Sequence, residues 1–85
     1  MGLRFYTMPI YHQLICDSAG RVLNTANMEL SDLQQAMAYA NAKVRKMIRQ
    51  RQELLFDPKG RIDISDYEGR ILARVYCAEV AAASK

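Results

Sequence analysis

The residues able to do chemistry are few and, with one exception, scattered. The exception is a run in which Lys43, Arg45, Lys46, Arg49 and Arg51 fall within nine positions. This run holds a net charge of +5 while the whole 85-residue chain carries only +3, so the entire basic excess sits here. Clustered cations of this kind suit phosphate groups, above all those of nucleic acid. Phosphate contacts need little beyond clustered charge, whereas surfaces that also select or stack bases interleave aromatic or amide groups. Only Gln50 and Gln52 stand nearby. At about 100° per residue, Lys43, Lys46 and Arg49 share one side of a helix, Arg45 and Arg49 lie one turn apart, and Arg51 projects into the apolar stripe. The competing reading is a solvated face whose cations favour a helix C-terminus through the macrodipole, and it is preferred here.

The remaining polar residues carry less. His12 stands without a paired carboxylate or nucleophile at recognisable spacing, which points to packing or surface rather than catalysis. Cys16 and Cys77 lie in apolar, strand-like segments with no motif to activate them, and read as small buried hydrophobes. Two cysteines and one histidine without paired spacing form no zinc pattern. Asp63, Asp66 and Glu68 imitate a carboxylate pair, but turn chemistry accounts for Asp66 and the polar face of a strand for Asp63. Glycine-rich phosphate loops, nucleophile elbows and H-E-x-x-H are all missing from the sequence. The expectation is therefore a protein that is not an enzyme, with no catalytic residue, no cofactor and no metal.

No apolar run approaches the roughly 18–20 residues that span a bilayer. The start, Met1-Gly2-Leu3-Arg4-Phe5-Tyr6, has neither the apolar stretch nor the cleavage site of a secretory signal, and Tyr6 stands where a myristoylation motif wants Ser or Thr. These features predict a cytoplasmic protein without a membrane partner and with reduced thiols.

The elements that must position these residues are marked by a repeated phrase. Asp17-Ser18-Ala19-Gly20-Arg21-Val22, Asp57-Pro58-Lys59-Gly60-Arg61-Ile62 and Asp66-Tyr67-Glu68-Gly69-Arg70-Ile71 all read D-x-x-G-R and then a β-branched residue. Asp at the head of a type I turn bonds its own backbone, and Gly at the fourth position tolerates positive φ. That combination is the three-residue hairpin loop with a bulge. The spacing predicts strands over Ile10 to Cys16, around Ile62 and Ile64, and over Ile71 to Val80. It leaves the extent of a strand after Arg21 open. Between the hairpins, Leu33, Ala36, Met37, Ala40, Val44, Met47, Ile48 and Leu55 recur at helical spacing. They predict one helix from Asp32 to about Glu53, with Ser31 as N-cap and Gln34 completing a capping box.

An extended, aromatic start leading to D-x-x-G, then L-x-x-A on a helix, then a closing D-x-x-G-R-x-L hairpin resembles a family of short uncharacterised bacterial proteins of β-β-α-β-β order. The matching residues are Phe5-Tyr6, Asp17 with Gly20, Leu33 with Ala36, and Ile62 through Leu72, which cover most of the chain. The resemblance implies a fold and attaches no activity, cofactor or catalytic residue.

The chain is 51% hydrophobic and 25% charged, ordinary for a globular domain. Together these features predict an α+β protein: a single domain over residues 1–85, with 81–85 a flexible tail, in which two antiparallel hairpins form a small sheet and one long helix packs on one face. The bare face would hold large groups from Tyr6, Tyr11, Leu72 or Tyr76, and a two-layer unit of this size cannot leave much apolar surface exposed. The expected function is a non-enzymatic protein-binding module that pairs with itself as a homodimer. Leu72 and Tyr76 are its sheet-side contacts, with Met47 and Ile48 as the helix-side alternative. The second reading is a nucleic-acid-binding or antitoxin-like regulator that uses Lys43 to Arg51.

Overall fold

A computed structural model of the chain describes residues 9–50 and 57–83. The elements run β1 (Ile10–Cys16), β2 (Val22–Glu29), α1 (Leu33–Gln50), β3 (Arg61–Ser65), β4 (Ile71–Tyr76) and α2 (Cys77–Ala83). The four strands make one antiparallel sheet of order β2-β1-β3-β4. The two hairpins therefore meet through β1 and β3, which pair from His12 opposite Ser65 to Cys16 opposite Arg61.

The first and third D-x-x-G-R phrases fold alike. The Asp17 carboxylate accepts from the N–H groups of Ala19 at 2.9 Å and Arg21 at 2.8 Å. Asp66 accepts from those of Glu68 and Arg70, both at 2.9 Å. Gly20 and Gly69 follow at φ 84° and 87°, the left-handed region that glycine occupies without steric cost. Each Asp also pairs with the Arg four residues on, at 3.2 Å for Arg21 and 2.8 Å for Arg70. The middle phrase departs from this scheme. Asp57 keeps its bond to the Lys59 N–H at 2.9 Å, but Gly60 has no positive φ and does not close a hairpin. It leads the incoming chain into β3. A Cβ at Gly60 would stand 2.3 Å from the Cys16 carbonyl oxygen, so glycine is needed there for close approach.

Backbone donors hold the Asp57 and Asp66 carboxyls below their ordinary range, Lys59 foremost for Asp57 and Arg70 for Asp66. A carboxyl depressed in the folded state stabilises the fold above its unfolded pKa, and that contribution is lost as pH falls through the folded value. The Asp66→Asn variant is therefore expected to melt lower than the parent at pH 7. The gap should close as pH drops below 4, as followed by thermal denaturation across that range.

The helix begins one residue later than the spacing suggests. Asp32 is the N-cap, with its Oδ1 accepting from the Gln35 N–H at 2.9 Å, and Gln35 Oε1 reaches back to the Ser31 N–H at 3.3 Å. Asp competes well with Ser at this position, so the cap moves to Asp32, and the return bond from Gln35 falls on Ser31, one residue outside it, in place of a Ser31–Gln34 capping box. Ala36, Ala40, Val44 and Met47 form the buried face of α1. Leu33 and Ile48 pack beside the core, while Met37 stays at its edge. Leu55 and the projected end of the helix at Glu53 lie outside the described residues.

The last strand is shorter than the sequence reading. It ends at Tyr76, and Cys77–Ala83 coil into α2, so residues 81–83 belong to a helix and not to a tail. A run of Ala with no β-branched residue but Val80 favours the helix. Cys77 and Val80 point into the core from α2, and α2 packs against α1. This second helix provides cover for α1 beyond the hairpins. Tyr11, Ile15, Met28, Ile62, Ile64 and Val75 complete the core from the sheet. Tyr11 is thus a core residue on the helix side and not part of the bare face.

Candidate interaction surfaces

The sheet face turned away from α1 follows from register, because side chains alternate along a strand and pair across it. On it lie His12, Leu14 and Cys16 of β1, Arg61, Asp63 and Ser65 of β3, and Arg74 and Tyr76 of β4. Asp63 is at its centre and is buried. Its Oδ1 accepts from Arg61 Nε at 2.8 Å and faces Arg74 Nε at 3.3 Å. This bond to Asp63 strengthens the Arg61 guanidinium's hold on its proton. The Cys16 thiol lies 4.0 Å from Asp63 Oδ2. Burial first, and then the Asp63 charge, push that thiol above its ordinary pKa, which keeps it a poor nucleophile. Cys77 is likewise raised by burial, and both cysteines are free and buried. His12 Nδ1 bonds Asn27 Oδ1 across the β1–β2 pair. Asp63, read from sequence as one member of a polar strand face, is thus the hub of a two-arginine cluster. The signal for it was Arg61 two positions before it on the same face.

Of the four proposed dimer contacts, Leu72 and Tyr76 are each 42% exposed. Met47 is 1% exposed and is consumed by the chain's own core, and Ile48 packs beside it. The helix-side alternative therefore lacks Met47 as a surface.

The basic run is divided between two clefts along α1. Arg45 and Arg49 line a cleft of about 510 Å³ with Ile48 and Ala83. Lys43 and Lys46 line a second, of about 230 Å³, with Tyr39 and Ala42. Arg51 lies outside the described residues. Lys43, Arg45, Lys46 and Arg49 make no ion pair among the described residues.

Among the described residues the sheet ends on the far side at β2, eight residues long. The Leu30 N–H donates to the Pro9 carbonyl at 3.2 Å, just beyond the pairing of Ile10 with Glu29. Antiparallel ladders alternate, so Met28, Ala26 and Asn24 turn their backbone groups toward β1, and Glu29, Asn27 and Thr25 turn theirs outward. The outward Thr25 N–H is held by Asn24 Oδ1 at 2.9 Å.

Among the described residues no group of His, Cys, Asp and Glu could hold a metal ion. No helix there is long and apolar enough to cross a membrane. Residues 10–78 match a family described as a domain of unknown function, DUF6894. No curated protein and no solved structure matches the chain.

Proposed function

This chain belongs to the DUF6894 family of domains of unknown function, and we propose that it acts as a non-enzymatic interaction module that associates as a homodimer. The observation that carries this reading is an exposed apolar patch on the sheet face opposite α1. The centre of that face is closed, with Cys16, Asp63 and Ser65 buried, but Ile71, Leu72 and Tyr76 are exposed at its β4 side. An exposed apolar patch on a small domain marks an interaction surface, and a self-complementary patch on a two-fold axis is the commonest way to cover one. The interface should bury at least about 1,000 Å² in total. Sedimentation equilibrium at micromolar concentration tests this. The expected result is a mass near twice the monomer's 9.7 kDa, with dissociation on dilution. A monomer mass across the whole range overturns it.

A second reading, the nucleic-acid-binding or antitoxin-like regulator, is favoured by one observation. Residues 33–50 of α1 contain no Asp or Glu, so its four described cations are uncompensated within the helix. Binding to a generic duplex should then fall steeply with salt, and Lys46→Ala with Arg49→Ala should flatten the slope of log affinity against log salt by about one to two units. No binding at low salt leaves the four cations as a solvated face.

A further inference from the structure

We infer that the outer side of α1 is a site for single-stranded nucleic acid, in which Tyr39 stacks an unpaired base while Lys43 and Lys46 hold the neighbouring phosphates. The inference rests on the second reading above, phosphate binding by the basic helix, and adds the strand type and the aromatic side chain which that reading lacks.

Tyr39 lies four positions before Lys43, outside the basic run, and only the helix brings it alongside. Steps of four and three carry Tyr39, Lys43 and Lys46 down one side of α1. All three line the same cleft of about 230 Å³, together with Ala42. Tyr39 is 50% exposed, whereas the core tyrosine, Tyr11, is 8% exposed. The core therefore makes little use of the Tyr39 ring. The cleft is smaller than the roughly 300–1,000 Å³ that encloses a whole small molecule, and it suits one flat group laid on the ring.

The charge around that ring fixes the class of ligand. α1 contains no Asp or Glu. Neither Lys43 nor Lys46 makes an ion pair among the described residues. Arg49 follows three residues past Lys46, so the line of cations continues beyond the cleft. A matching ligand presents repeated anions with a flat group between them, which is the chemistry of a nucleic-acid strand. Bases in a duplex offer only their edges to a protein, so stacking on Tyr39 requires an unpaired base. Among the described residues the other exposed tyrosines lack this setting. Tyr67 stands between Asp66 and Glu68. Tyr76 shares its sheet face with Arg61 and Arg74, and both of those are engaged by Asp63.

The test is titration of the full chain with a fluorescent oligothymidylate, and with a hairpin duplex of equal phosphate count, over a range of salt. The oligothymidylate should bind at least about tenfold tighter than the duplex. Tyr39→Leu should weaken that binding about tenfold, the scale of one stacked base, without changing the salt slope, and Tyr39→Phe should keep the parent's affinity. Lys43→Ala with Lys46→Ala should flatten the slope by about 1.4 units, the share of two phosphates on a single strand. The chain has no tryptophan, so Tyr39→Trp supplies a lone indole. Its fluorescence should be quenched by the oligothymidylate and not by an abasic strand of the same length. Each variant should keep the parent's circular dichroism. Equal binding of duplex and single strand, with Tyr39→Leu at parental affinity and no quenching, overturns the stacking site and leaves phosphate binding by the helix intact. No binding of either at low salt removes both.

Discussion

Gly60→Ala is expected to lower the thermal midpoint by more than about 10 °C, well beyond the effect of the same change at Gly20 or Gly69. The added methyl would sit 2.3 Å from the Cys16 carbonyl oxygen and 3.1 Å from that of Asp57. Both obstacles are backbone, so no side-chain rotation relieves the clash. Relief requires β1 and β3 to separate where Cys16 faces Arg61. It also strains the Gly60 carbonyl, which accepts from the Cys77 N–H at 3.1 Å and so anchors the start of α2. Overpacking typically costs about 1–3 kcal/mol and more where nothing yields, and each kcal/mol moves the midpoint by roughly 4–8 °C in a domain of this size. At Gly69 a Cβ meets nothing within 4 Å, so Gly69→Val carries only the left-handed backbone strain of about 1–2 kcal/mol. Differential scanning calorimetry of the two variants separates these cases. Equal, small losses would show that Gly60 is only another turn glycine.

The second large effect is expected at Met47. Its side chain is among the largest that are fully buried, in one cluster with Ala40, Val44, Ile62 and Ile64. Met47→Ala removes those contacts and leaves a cavity that α1 and the sheet cannot fully close, at a cost of about 2–5 kcal/mol. The thermal midpoint should fall by 10 °C or more. The dissociation constant of the dimer, measured at a temperature where the variant is fully folded, should match the parent's. A weakened dimer at unchanged stability would instead place Met47 against a partner.

Much of this fold is written locally. The turns at Asp17 and Asp66 need only five residues each, and the stripe Ala36, Ala40, Val44, Met47 needs only helical spacing. Those signals are contained within the segments they shape. What escaped the sequence reading depends on distant segments. Gly60 looks like Gly20 and Gly69 in its phrase, and only the arrival of the Cys16 carbonyl gives it a different role. Tyr11 and Leu14 alternate on a strand whose two sides are both partly apolar, so the inward side was decided by α1 overhead. Residues 77–83 follow a strand without a Gly or Pro to stop it, and their helix needs the side of α1 to pack on. Of the candidate surfaces, the basic residues were legible as a run, but their division between two clefts followed from the placement of Ile48 and Ala83. The place of β2 at the end of the described strand order had no sequence signature, because an edge is set by how distant strands pair.

The strand order has a consequence for how the chain reaches this state. The β1–β2 and β3–β4 pairs are each closed by a tight turn, so each can assemble from neighbours in the chain. The central β1–β3 pairing joins positions as far apart as His12 and Ser65. The entropy of closing that long loop must be met before its hydrogen bonds form, which slows folding in proportion to contact distance. The middle of the sheet is therefore the kinetic bottleneck, and α1 is the tether whose docking shortens the search. Ile62→Val, at the β1–β3 junction, should slow refolding in stopped-flow mixing more than a change of equal stability at the Asp17 turn.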